Sequence, residues 1–167
     1  MTFTKIYRTP KGFDDLLMVS EGGILTGLSF FDCADNKIEC EEMELPVFCG
    51  TKEWLDIYFS GRQPDFTPEY RIDGLTPFRK EVSDIMQSIQ FGQTMTYGEI
   101  AELIAQKRCI RKMSAQAVGG AVGWNPLCII VPCHRVLGAN RSLTGYGGGI
   151  KNKIALLKLE GIEFRKP

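Results

Sequence analysis

The only histidine in this chain of 167 residues follows a cysteine and precedes an arginine, as Cys133-His134-Arg135. An isolated thiol titrates at about pH 8.5. At neutral pH it therefore needs a base or a positive field to become a nucleophile. His134 could be the base and Arg135 could supply the field. Consecutive side chains in an extended segment point to opposite faces, so contact between Cys133 and His134 needs a turn or a bridging water. Chance adjacency stays open on these residues alone. Glu160 is a further candidate. It falls at the C-terminal end of a helix predicted over residues 151–159, where a carboxylate opposes the helix macrodipole, so a cationic partner is expected for it. Between these positions runs Thr144-Gly145-Tyr146-Gly147-Gly148-Gly149. Glycines at this density let a backbone approach a ligand closely, and Tyr146 offers a stacking plane or a hydroxyl. A flexible surface loop would have the same composition.

The other cysteines stand at 33, 40, 49, 109 and 128, and none forms a Cys-x-x-Cys pair. One histidine cannot furnish the usual Cys/His zinc finger. Cys33, Cys40 and Cys49 could gather on a metal, but their irregular spacing speaks against it, and no metal is expected. Hydrophobic residues make up 44% and charged residues 24%, enough apolar material for a packed core, which excludes disorder over most of the chain. The longest apolar stretch, Leu127 to Val131, is too short to cross a bilayer, so no membrane partner is expected. Cys128 within it reads as a small core residue. The N-terminus has no secretory pattern, which predicts a cytoplasmic protein with free thiols. Charge balances overall but not locally. Residues 1–94 carry 9 Lys/Arg against 16 Asp/Glu, a net of −7, and residues 95–167 carry 11 against 4, a net of +7. The basic half is a candidate for a polyanion partner; lysines on solvated helix faces would give the same count.

These residues need elements to position them. Strands are predicted over Phe3–Tyr7, Leu16–Ser20 and Gly23–Phe30, then a helix from about Lys52 to Phe59, then a linker or crossing loop from Ser60 to Gly74. Thr76-Pro77 reads as an N-cap with proline in the first turn. Thr96-Tyr97-Gly98-Glu99 reads as a capping box. Ser114 can cap a third helix through Val122, after a basic loop from Gln106 to Lys112. The two glycines of that third helix, Gly119 and Gly120, cost stability but permit close approach, either by a DNA backbone or by a neighbouring helix. The expected fold class is α+β: a strand-rich N-terminal domain over residues 1–75, then a mainly helical domain over residues 76–167 with a helix-turn-helix.

Pro132-Cys133-His134-Arg135-Val136 is similar to the active-site signature of the O6-alkylguanine-DNA alkyltransferases, the methylated-DNA–protein-cysteine methyltransferases. The resemblance extends in order through Thr96-Tyr97, Ala117-Val118-Gly119-Gly120, Asn125-Pro126, Gly145-Tyr146-x-Gly148-Gly149 and Leu156-Leu157-x-x-Glu160-Gly161. It covers residues 76–167. The first 75 residues resemble the family's ribonuclease-like domain through their strand-rich start and Tyr58-Phe59-x-Gly61. The resemblance implies repair of double-stranded DNA containing O6-alkylguanine, with O4-alkylthymine as a further candidate substrate. The target nucleotide leaves the stack, and its alkyl group passes to Cys133. His134 is implied as the general base acting through a water, Glu160 as the group that orients His134, and Asn125 as a brace for the turn. Tyr97, Gln116, Ala117, Gly119, Arg135, Val136, Tyr146, Gly147 and Gly148 are implied contacts to the base or the DNA. No cofactor is implied. The thioether product has no acyl carbon for water to attack, so each chain, acting as a monomer, reacts once.

One position departs from the family. An arginine commonly fills the gap left by the flipped base, and Gln116 stands there. The loop from Gln106 to Met113 is also longer than in the shortest members, and Lys107, Arg108, Arg111 and Lys112 are expected to compensate by contacting phosphates. Three other readings compete: a lesion sensor without chemistry, a cysteine hydrolase using Cys133, His134 and Glu160, and a redox or metal regulator. Stoichiometry separates them, as no alkyl transferred, many turnovers, or one alkyl per chain.

Overall fold

A computed structural model describes residues 1–31 and 43–166; Cys33 and Cys40 lie outside the described residues. Packing divides the chain into two units, Met1–Asp73 with Pro126–Ile130, and Gly74–Asn125 with Val131–Pro167. The segment Pro126–Ile130, which in the sequence lies inside the predicted second domain, thus packs with the first unit.

Strand alternation builds the first unit. In β2 (Asp15–Glu21), Leu16, Met18 and Ser20 are buried and the residues between them are partly exposed, the period-two pattern of a sheet with one face in the core. β2 pairs antiparallel with β1 (Thr2–Tyr7) on one side and β3 (Ile24–Phe31) on the other. Helix α1 (Pro46–Phe59) buries Phe48, Thr51, Trp54, Leu55 and Tyr58, the three-to-four spacing of an amphipathic stripe. Its start lies upstream of the expected Lys52. Pro46 occupies the first turn, where its missing N–H costs no hydrogen bond. The remaining edge of β3 is used twice. Leu25 bridges to Tyr70, and Leu28 bridges to Leu127. At the second bridge the Leu28 N–H donates to the Pro126 carbonyl at 2.9 Å and the Cys128 N–H donates to the Leu28 carbonyl at 2.9 Å. Residues 60–74, expected as a linker or crossing loop, contribute a backbone pairing at Tyr70.

Helix caps define the second unit. α2 (Pro77–Ser88) starts at Thr76, whose side chain accepts from the Arg79 N–H. α3 (Tyr97–Lys107) starts on a complete capping box: the Glu99 N–H donates to Thr96 Oγ1 at 3.1 Å and the Thr96 N–H donates to Glu99 Oε2 at 2.7 Å. Each such cap is worth about 1 kcal/mol. α4 (Ala115–Gly123) starts at Ser114, which accepts from the Ala117 N–H at 3.1 Å. The three helices pack around Val82, Met86, Ile100, Ile104, Val118 and Val122. β4 (Met95–Thr96) pairs parallel with β5 (Val136–Leu137), which ties the start of α3 to the chain just past Cys133-His134-Arg135. The last helix, α5 (Ile150–Leu159), packs Leu157 with Leu137, Leu143 and Ile162 in a second buried cluster.

Candidate active site

The turn that Cys133 and His134 require is present. Cys133–Arg135 forms one turn of 3-10 helix. The Cys133 N–H donates to the Val131 carbonyl at 2.8 Å, and the Arg135 N–H donates to the Pro132 carbonyl at 3.0 Å. The Asn125 amide donates to the same Val131 carbonyl at 2.9 Å, which pins the entry to the turn. Cys133 is 5% exposed and His134 is 0% exposed.

Glu160 meets His134 because of how α5 ends. Gly161 takes φ +70°, a conformation that glycine adopts without the Cβ penalty. Its N–H donates to the Lys158 carbonyl at 3.0 Å, and the Ile162 N–H donates to the Leu157 carbonyl at 2.9 Å. This is a Schellman ending with its usual apolar contact, here Ile162 in one cluster with Leu157. Glu160 is thereby held inward, with Oε1 2.7 Å from His134 Nε2.

The cationic partner expected for Glu160 is Arg135 as well as His134. Arg135 Nε donates to Glu160 Oε1 at 3.1 Å and Oε2 at 2.9 Å, and Nη2 donates to Oε1 at 2.9 Å. Arg135 Nη1 donates to the Ile89 carbonyl at 2.6 Å, and the Gly92 N–H donates to Glu160 Oε2 at 3.0 Å. Arg135 was expected among the DNA contacts. It is instead 5% exposed, with its guanidinium committed to the carboxylate and the end of α2. The reason is geometric: a 3-10 turn sends Arg135 to the α5 side, where a buried carboxylate needs a charge partner.

These contacts set the protonation states. Burial alone would push the Glu160 carboxyl up, but the hydrogen bonds and charges of His134 and Arg135 outweigh it and hold the group well below the ordinary carboxylate range. Burial pushes His134 down, against the pull of Glu160, so the imidazole is neutral at pH 7. Because ionised Glu160 only accepts, the ring proton is assigned to Nε2, which leaves Nδ1 as the basic nitrogen.

Lys153 is a member of this site that the sequence reading missed. It is 0% exposed, and its ammonium donates to the Val136 carbonyl at 2.8 Å. Burial brings its pKa down to about 8, opposed by the Cys133 sulfur within electrostatic reach. A mostly cationic lysine here favours the thiolate. The signal was available: Lys153 shares a helix face with Leu156 and Leu157, three and four residues on.

The other expected residues lie mainly at the start of α3, on α4 and just before α5. Tyr97 begins α3; its hydroxyl accepts from Thr144 Oγ1 at 3.0 Å, and burial raises its pKa, so the phenol stays protonated and able to donate. Tyr97, Gln116 and Gly119 line a cavity of about 550 Å³ together with Gly98, Ala115, Gly138 and Gly145. Gln116 and Ala117 are exposed on α4. Tyr146 is half-buried, with its ring 5.9 Å from the Lys153 ammonium. Gly147 and Gly148 lead into α5, where the Gly148 carbonyl accepts from the Asn152 amide at 2.7 Å. Val136 is buried and enters through its carbonyl, already shared with Lys153. Cys49 is exposed beside Glu44.

The family model described as the DNA-binding domain of 6-O-methylguanine DNA methyltransferase matches residues 77–162. The methylated-DNA–protein-cysteine methyltransferase of Haemophilus influenzae is 38% identical over 165 residues, 96% of this chain and 89% of that one. That of Mycobacterium tuberculosis is 40% identical over 146 residues, 87% of this chain and 85% of that one. Among solved structures, the O6-methylguanine methyltransferase of M. tuberculosis superposes with a TM-score of 0.75 at 36% identity, covering 96% of this chain and 93% of that one. The M. tuberculosis OGT in complex with DNA gives a TM-score of 0.74 at 37% identity, covering 96% and 92%. With this agreement of sequence and structure over nearly its whole length, the chain belongs to the methylated-DNA–protein-cysteine methyltransferase family.

Proposed function

We propose that the chain repairs alkylated DNA directly, by moving a methyl or other alkyl group from O6 of guanine to Cys133. The observation that carries this reading is the buried Cys133-His134 turn backed by the ionised Glu160. It supplies a thiol, a neutral imidazole to take its proton, and a carboxylate to stabilise the imidazolium that results. The Cys133 proton passes to His134 Nδ1 through a bridging water. The sulfur attacks the alkyl carbon, an S–C bond forms, and the C–O6 bond breaks with its electron pair going to guanine. Tyr97, a protonated phenol, is suited to donate toward the purine as that charge develops. Lys153 favours the thiolate beforehand. Asn125 braces the turn.

The alkyl carbon is out of reach while the base is stacked, so the nucleotide is extruded, at a cost of a few kcal/mol. We read α3 and α4 as a helix-turn-helix whose exposed Gln116 and Ala117 face the duplex, and Tyr146, Gly147 and Gly148 as a wall of the base pocket. The first unit is read as the ribonuclease-like scaffold. The protein is read as a monomer, since the site residues come from one chain, and as cytoplasmic. The thioether is stable, so each chain reacts once. The test is product stoichiometry on the DNA. With a several-fold excess of O6-methylguanine duplex, the guanine regained should plateau at one per chain. Continued turnover would favour a hydrolase-like enzyme, and no guanine regained would favour a lesion sensor.

A further inference from the structure

We infer that the loop between α3 and α4 forms a cationic groove that holds the DNA backbone running on from the flipped nucleotide, through Arg111 and Lys112. The inference rests on the DNA-repair reading above and deepens it, by narrowing the phosphate contacts expected around this loop to two residues and one groove.

Two observations carry it. The first is a groove of about 420 Å³ lined by Ile110, Arg111, Lys112 and Met113 on one side and by Ala101 and Glu102 of α3 on the other. Its lining includes Gly98 and Ala115, which also line the cavity beside Tyr97 and Gln116. The two spaces thus adjoin across the start of α3 and the start of α4, where a chain leaving one can enter the other. The second is the way the loop is held. α3 ends in a Schellman arrangement with Cys109 at φ +53°. The Cys109 N–H donates to the Gln106 carbonyl at 3.2 Å, and the Ile110 N–H donates to the Ala105 carbonyl at 3.0 Å. Arg108 anchors the root: its Nε donates to Glu81 Oε1 at 3.1 Å, and its Nη2 donates to the same oxygen at 2.5 Å.

Lys107 lies in the last turn of α3, and anchoring separates the three basic residues that follow it. Arg108 is spent on Glu81 and is removed from the phosphate contacts expected for it. Arg111 and Lys112 are exposed on the groove, with Glu102 as the one carboxylate in its lining. Exposed Ile110, at 44%, offers an apolar surface to sugar. Cations along a groove with apolar relief fit a phosphodiester chain. Gln116 brings no charge to the neighbouring cavity, so positive charge on this surface is displaced from α4 into the loop before it.

The experiment compares Arg111→Gln/Lys112→Gln with the parent protein. One readout is the dependence of duplex affinity on salt. The other is alkyl transfer from the free base O6-benzylguanine, whose activated benzylic carbon reacts without DNA. Each phosphate contact contributes about 0.9 to the slope of log affinity against log salt, so losing two should reduce the slope by about 1.8 while the free-base rate stays unchanged. An unchanged slope overturns the inference. The variant Arg111→Lys/Lys112→Arg keeps both charges and should keep the parent slope; if it loses the slope as the glutamine pair does, the inference also fails. A parent protein that binds duplex but takes no alkyl group from either substrate would instead refute the repair reading of Cys133, and the slope comparison would still decide the groove.

Discussion

Replacing Glu160 by glutamine keeps the side chain's shape and removes its charge. The carboxylate accepts from His134, Arg135 and the Gly92 N–H; an amide has one acceptor oxygen, and its NH₂ would face donors. The buried Arg135 guanidinium would lose its opposite charge while keeping the Ile89 carbonyl. Removing one member of a buried ion pair costs about 3–5 kcal/mol. The retained amide oxygen puts this case at the low end, about 3 kcal/mol, or a fall in Tm of about 6–12 °C for a chain of this size. Transfer to Cys133 should slow by about 100-fold, within the range for a positioned general base, because His134 loses the group that orients it and stabilises its charge. Calorimetry of Glu160→Gln, Arg135→Met and the double variant gives the stability arm. In the Arg135→Met background no charge is stranded, so Glu160→Gln should cost about 1 kcal/mol or less. The pH dependence has a fixed sign. The folded carboxyl titrates below its usual 4.5, so its contribution is present above that value and is lost as pH falls further, and the gap between parent and variant should close under acid. A cost under about 1 kcal/mol at pH 7, or an equal cost with and without Arg135, would refute the ion-pair reasoning.

Lys153→Met should slow transfer about tenfold at pH 7, the effect of raising the thiol by about one pKa unit. Because Lys153 itself titrates at about 8, the deficit should shrink above that pH; a pH-independent deficit in stopped-flow transfer rates would contradict the electrostatic role. Its folded pKa lies below the usual 10.5, so the unfolded chain binds the extra proton between those values and parent stability should gain with rising pH there, a gain absent from the variant in pH-dependent melts. Gly138→Ala places a Cβ 2.5 Å from Ser142 Oγ and 2.9 Å from Thr144 Cγ2. It should weaken duplex binding by deforming the cavity edge, and Ser142→Ala should restore part of the loss in a titration. Gln116→Arg should steepen the salt dependence of duplex affinity by about 0.9 if α4 faces phosphates.

The legible parts of the sequence were those with local causes. Thr96 and Glu99 announce the start of α3, Ser114 that of α4, and Gly161 the Schellman ending that turns Glu160 inward. These signals depend on a few adjacent residues and one backbone conformation. The parts that were not legible depend on contacts far along the chain. Nothing local to Leu127 says that it will bridge to Leu28. The family resemblance alone makes Arg135 a DNA contact; its burial follows only once Glu160, at the end of the last helix, is brought beside it. Lys153 was passed over for the same reason. Its place on the Leu156–Leu157 face was visible, but a lysine is seldom read as core.

The decisive measurement is the intact mass of the protein after reaction with a short duplex carrying one O6-methylguanine, followed by peptide mapping. A gain of one methyl group per chain, located on Cys133 and absent from Cys133→Ser, is the predicted result. An unchanged mass, or a methyl group on any other residue, would contradict Cys133 as the acceptor.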